Sequence, residues 1–127
     1  MRLIGAAERG LSSLLLRVSD PARKTFGKPL YSHGTIMNDI AQSRCDIESA
    51  RYLVLTAAEK MDRVGNKQAL KEIAIAKTIV PKLVCGVLDR AIQAWGGGGV
   101  EGNLAVLYAH ARTLRIADGS YELNEYY

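Results

Sequence analysis

Apolar residues recur along this chain in steps of three and four, the spacing that gathers side chains on one face of an α-helix. Ile4, Ala7, Leu11, Leu14 and Val18 form the first such stripe. It predicts a helix from about Leu3 to Arg17, closed at Ser19-Asp20-Pro21, because proline lacks an N–H and turns the residue before it away from helical backbone. The second stripe is Ile36, Ile40, Ser43, Ile47, Ala50, Val54, Ala57, Met61 and Val64, with Ser43 as its one polar member. It predicts a helix from about Ser32 to Val64, roughly 50 Å long at 1.5 Å per residue. Gly65-Asn66 ends it with residue types that tolerate a left-handed turn.

The third stripe, Leu70, Ile73, Lys77, Val80, Val84, Val87, Ala91 and Ala94, has Lys77 as its odd member and Pro81 inside it. The stripe resumes in phase beyond Pro81, so the proline is expected to kink this helix without ending it. Lys77 reads as a snorkelling or paired lysine. A short fourth stripe joins Leu104, Leu107, Ala111 and Leu114, and the next position in register is Asp118. Either the helix stops there with Gly119 as its cap, or a carboxylate is presented at a helix end. Four helices, two of them long, on short connections predict an all-α, antiparallel four-helix bundle.

At 127 residues the chain amounts to a single helical-bundle domain, 1–127. Its opening in mid-stripe and its end, Tyr121 to Tyr127, read as a fragment of a larger chain. With 48% hydrophobic residues it can build a core, and with 6% aromatics it does not suit a β-sandwich. No apolar run approaches the length of a membrane span. Glu8 and Arg9 interrupt the start too early for an export signal. Cys45 and Cys85 read as two reduced, buried thiols, and two histidines without ligand spacing give no metal site.

The net charge of +4 is carried wholly by the first thirty residues, where Arg2, Arg9, Arg17, Arg23, Lys24 and Lys28 face only Glu8 and Asp20. Without a recognition motif or stacking aromatics, this points to a local anion site near Arg23, Lys24 and Lys28 rather than to nucleic acid. Three segments carry candidate chemistry. Arg23-Lys24-Thr25-Phe26-Gly27-Lys28-Pro29-Leu30 is either a basic connecting loop or a phosphate clasp, since the arginine fork donates two hydrogen bonds to one phosphate. Gln93-Ala94-Trp95-Gly96-Gly97-Gly98-Gly99 either ends the third helix flexibly or lets backbone N–H groups approach a ligand. Arg112-Thr113-Leu114-Arg115-Ile116-Ala117-Asp118-Gly119 offers either a solvated face or a base. Trp95 reads as a packing residue and His110 as a surface or interface residue.

Together the three segments resemble the carboxyl-terminal helical domain of the flavin-dependent acyl-CoA dehydrogenases, over nearly the whole chain. Met61-Asp62-Arg63-Val64-Gly65-Asn66-Lys67 and Leu114 to Gly119 are similar to the subgroup typified by vertebrate family members ten and eleven. The resemblance implies an oxidoreductase of fatty acid metabolism that uses FAD to dehydrogenate an acyl-CoA thioester, passing electrons to an acceptor flavoprotein. It also implies a homodimer or homotetramer, in a mitochondrial location with peroxisomal or cytoplasmic ones as alternatives. Arg23 and Thr25 would hold the pyrophosphate of a neighbouring subunit's FAD, Phe26 and His33 would line its adenosine, and Gln93, Gly96 and Gly97 would face it. Ser120 completes the expected cofactor-binding set. Asp118 would be the catalytic base, its N–H polarising the thioester carbonyl, in place of the glutamate that many members carry. The alternative is a four-helix oligomerisation module without activity of its own.

Overall fold

The computed structural model describes residues 1–119. The four stripes fold as helices α1 (Arg2–Ser19), α2 (Gly34–Val64), α3 (Leu70–Trp95) and, after a one-turn helix α4 (Gly97–Glu101), α5 (Asn103–Thr113). The helices begin and end where the sequence changes its chemistry. Asp20, ahead of Pro21, takes extended backbone after α1. Gly65, at φ 82°, closes α2, and α3 runs unbroken through the buried Pro81.

Ile4, Ala7, Leu11, Leu14 and Val18 all lie in the core, with Ile47, Ala50, Val84, Val87, Leu88 and Ala111 facing them. Consecutive long helices run antiparallel: Lys60 of α2 meets Glu72 near the start of α3, while Arg90 near its end reaches Ser43 and Asp46 near the start of α2. Helices α1 and α3 consequently run side by side in the same direction, with Trp95 of α3 donating from Nε1 to the carbonyl of Ser13 at 3.0 Å. They approach closely at Gly10, where a Cβ would lie 2.7 Å from Cδ2 of the buried Leu88. Ser43, the polar member of the α2 stripe, is fully buried and satisfied, donating to the carbonyl of Asp39 at 2.6 Å and accepting from Nε of Arg90 at 2.9 Å. A buried hydroxyl left without partners would cost about 1–3 kcal/mol.

Three expectations need correction. The glycine run is not a flexible connection: it forms α4, because two of its glycines have fixed structural duties. Gly96 turns the chain at φ 62°, ψ −137°, a conformation closed to other residues. Gly99 packs so tightly on α3 that a Cβ there would lie 2.5 Å from the carbonyl oxygen of Ile92. Helix α5 ends at Thr113, so Asp118 is not the next member of a helical stripe. Cys45 is exposed, and only Cys85 is a buried thiol.

Candidate functional site

The basic segment after α1 folds into a minimal hairpin, β1 (Lys24–Thr25) antiparallel to β2 (Lys28–Pro29), with Lys24 opposite Pro29 and Thr25 opposite Lys28. Its two-residue loop, Phe26-Gly27, has both residues at positive φ, 52° and 76°, as the hairpin turn that matches strand twist requires. Glycine adopts this freely, whereas for phenylalanine it costs roughly 1–2 kcal/mol. The Phe26 side chain gains nothing in return within the chain, since it is 94% exposed. Upstream, an Asx turn sets the hairpin's entry: the N–H of Ala22 donates to Oδ1 of Asp20 at 2.9 Å, and Asp20 also pairs with Nε of Arg23 at 3.5 Å.

A cleft of about 440 Å³ lies between this segment and the end of α3, and its lining includes Arg17, Arg23, Lys24, Thr25, Gln93 and Gly96. Four of the expected cofactor-binding residues, from two segments some seventy positions apart in sequence (roughly 230 Å of extended chain), therefore share one wall. The donor set suits a phosphate-bearing ligand: three cations, a hydroxyl and a side-chain amide converge on it. Arg17, which the sequence did not single out, is held there by stacking on Trp95, 5.1 Å from the ring centroid, and by donating from Nε to the carbonyl of Ala94 at 3.4 Å. The missed signal was a cation one position off the buried face at the end of α1. Trp95 is thus a packing and anchoring residue.

Phe26, His33 and Gly97, also expected to bind cofactor, lie outside the cleft wall. His33 supports the hairpin, donating from Nε2 to the carbonyl of Thr25 at 3.1 Å. Phe26 projects from the hairpin tip into solvent. Gly97 opens α4 with nothing within 4 Å of where a Cβ would stand. Ser120 lies outside the described residues.

Asp118 sits at the other end of the bundle. After α5, the N–H groups of Leu114, Arg115, Ile116 and Ala117 turn back onto the carbonyls of Ala111, Arg112 and Thr113. Asp118 then takes φ 59°, Gly119 follows at φ 98°, and the carboxylate is exposed. Leu114 borders a groove with Arg2, Leu3 and Lys77 at the start of α1, whereas Arg17 and Arg23 flank the cleft at its far end. Fourteen residues of helix separate Leu3 from Arg17, roughly 20 Å. Two candidate sites thus occupy opposite ends of one chain.

Lys77 is the other residue whose weight the sequence understated. Its Nζ donates to the carbonyls of Leu114 at 2.9 Å and Ala117 at 2.5 Å, fastening the turn before Asp118 to α3. Beside the same turn, Arg115 is half-buried rather than on a solvated face. Burial pushes the Cys85 thiol up from its ordinary value, opposed by the positive charges of Arg115 and Arg112.

A sequence profile described as "Acyl-CoA dehydrogenase, C-terminal domain" matches residues 1–125. Acyl-CoA dehydrogenase family member 10 of Mus musculus is 50% identical over 127 residues, covering 98% of this chain and 12% of the mouse protein. A Mycobacterium abscessus structure described as an acyl-CoA dehydrogenase superposes with a TM-score of 0.93 at 42% identity, covering 98% of this chain and 31% of the other. Butyryl-CoA dehydrogenase from Megasphaera elsdenii gives a TM-score of 0.86 at 30% identity, over 98% of this chain and 32% of that enzyme. The chain spans less than a third of these relatives.

Proposed function

Since the chain belongs to the acyl-CoA dehydrogenase family as its C-terminal domain, we propose that it serves an FAD-dependent dehydrogenation of an acyl-CoA thioester within a larger, oligomeric protein. The observation that carries this reading is the shared cleft of Arg23, Thr25, Gln93 and Gly96. In it, the Arg23 fork and Thr25 hydroxyl bind the cofactor's pyrophosphate, Arg17 and Lys24 add charge, and Gln93 orients the ligand through its amide. Phe26 covers the adenosine, which would explain a strained, exposed phenylalanine at the hairpin tip. The distance between the cleft and Asp118 supports an arrangement in which the two ends of one chain serve the cofactors of different subunits.

Asp118 is the base. Its carboxylate takes the α-proton, the electron pair of that C–H bond becomes part of the new α,β double bond, and its own N–H donates to the thioester oxygen as negative charge develops there. Flavin, when bound, supplies the acceptor for the hydride leaving the β-carbon, from which electrons pass to an acceptor flavoprotein. The positive φ of Asp118, with its exposed carboxylate, supports this role, because backbone held outside the ordinary helical and extended regions is found most often at functional sites.

The test uses the full-length protein that contains this domain. Arg23→Ala lowers flavin content after gel filtration, and unchanged flavin content refutes the clasp. Asp118→Asn retains flavin and loses exchange of the substrate α-proton with solvent, whereas normal turnover refutes the base. Flavin-free protein that still assembles normally would favour the alternative reading, an oligomerisation module without activity.

A further inference from the structure

A lysine on the apolar stripe of α3 is unusual in itself, and its contacts are more so. The half-buried Lys77 makes no ion pair with a described side chain; its ammonium binds two main-chain carbonyls, Leu114 and Ala117, thirty-seven and forty positions away. Both belong to the turn that delivers Asp118. The second contact carries the argument: the Ala117 carbonyl and the Asp118 N–H are the two ends of one planar amide. A cation on the oxygen draws electron density toward it, increases C–N double-bond character and leaves the N–H more positive, hence a stronger donor.

The geometry points to Lys77 as a positioning residue for the dehydrogenation, acting through the Ala117–Asp118 peptide. This rests on the proposed role of Asp118. Lys77 does two things at once. It holds a turn whose last residue has left-handed backbone, so that the carboxylate has a fixed origin, and it polarises the amide whose N–H meets the substrate oxygen. The surroundings fit a fixed anchor. Pro81, four residues further along α3, has no N–H to donate to the Lys77 carbonyl, yet α3 runs unbroken through it, and both Val80 and Pro81 are buried, so the lysine rises from a packed stretch of the helix. Among the described residues, the Lys77 ammonium is directed at backbone oxygen.

A lysine that merely capped a turn would support stability and nothing else, so the decisive readout is the substrate. In the full-length holoenzyme, the carbonyl stretch of a bound, carbonyl-13C-labelled acyl-CoA is recorded by isotope-edited infrared difference spectroscopy, alongside kcat, KM and flavin content. Lys77→Met is expected to keep its flavin, lower kcat about 10- to 100-fold with little change in KM, and move the carbonyl band toward its frequency in water. Lys77→Arg, which retains a cation, restores most of both; Lys77→Gln, a neutral donor, falls between. A folded Lys77→Met enzyme with wild-type kcat and an unmoved band overturns the proposal, as does a loss of thermal stability with the band unmoved. If Lys77→Met does not fold, the Gln and Arg variants decide: equal activity and equal bands in Gln and wild type refute it. The two readings fail separately, because normal turnover in Asp118→Asn removes the base itself, whereas an inactive Asp118→Asn beside a normal Lys77→Met removes only the lysine's role.

Discussion

Replacing Phe26 by asparagine separates the needs of the chain from those of an assembly. Asparagine tolerates left-handed backbone, so the substitution relieves most of the roughly 1–2 kcal/mol held at φ 52°. No packing is lost in the chain itself, because the ring is 94% exposed. The 127-residue chain should therefore become more stable by about 1 kcal/mol, a rise of about 3–5 °C in the midpoint of thermal unfolding followed by circular dichroism. In the proposed full-length oligomer the sign should reverse. A ring covered by a cofactor or a neighbouring subunit contributes about 1.5–3 kcal/mol through burial. Its loss should weaken flavin retention about 10- to 100-fold, measured by flavin absorbance during dilution. A lower midpoint in the chain would mean that Phe26 packs on its own subunit. A higher midpoint with undiminished flavin affinity would mean that nothing covers it, and either result refutes the reasoning.

Two further predictions concern the fold. Gly99→Ala should destabilise the chain by about 1–3 kcal/mol, because the nearest atoms are α3 backbone and cannot yield, whereas Gly97→Ala should be near neutral, its Cβ meeting open space; chemical denaturation of both compares them. Cys45 should react with iodoacetamide in the native protein while Cys85 reacts only on unfolding, and mass spectrometry of labelled peptides identifies each. Because burial raises the Cys85 thiol, the native state keeps its proton to higher pH than the unfolded chain does. Stability should accordingly fall as pH rises past about 8.5, with a shallower slope in Cys85→Ala.

Helix positions were legible because the stripes are a direct record of burial: Ile4 to Val18 predict α1 within two residues at either end. Ser43 kept the α2 stripe intact because Arg90 and Asp39 satisfy it, contacts no local pattern announces. What the sequence concealed depends on tertiary contact. A run of four glycines argues against helix by propensity, and α4 exists because Gly99 docks on Ile92. Asp118 kept the register of α5 yet lies beyond it, in a turn fastened from α3 by Lys77, forty positions away from the carbonyl it binds. Of the candidate binding residues, those in the cleft wall were readable by chemical type. Arg17 was not, because its place depends on stacking against Trp95.

The parallel pairing of α1 with α3 also governs how the domain comes into being. Ser13 and Trp95 are 82 residues apart, so the surface that receives α1 does not exist until nearly the whole of α3 has been synthesised. At about 5–20 residues per second a ribosome takes about 4–16 s to bridge that interval. Throughout it the stripe from Ile4 to Val18 emerges before the partner that will bury it. Until α3 arrives, α2 can cover only part of that stripe, so one flank of α1 stays open to water while the rest of this domain is being made.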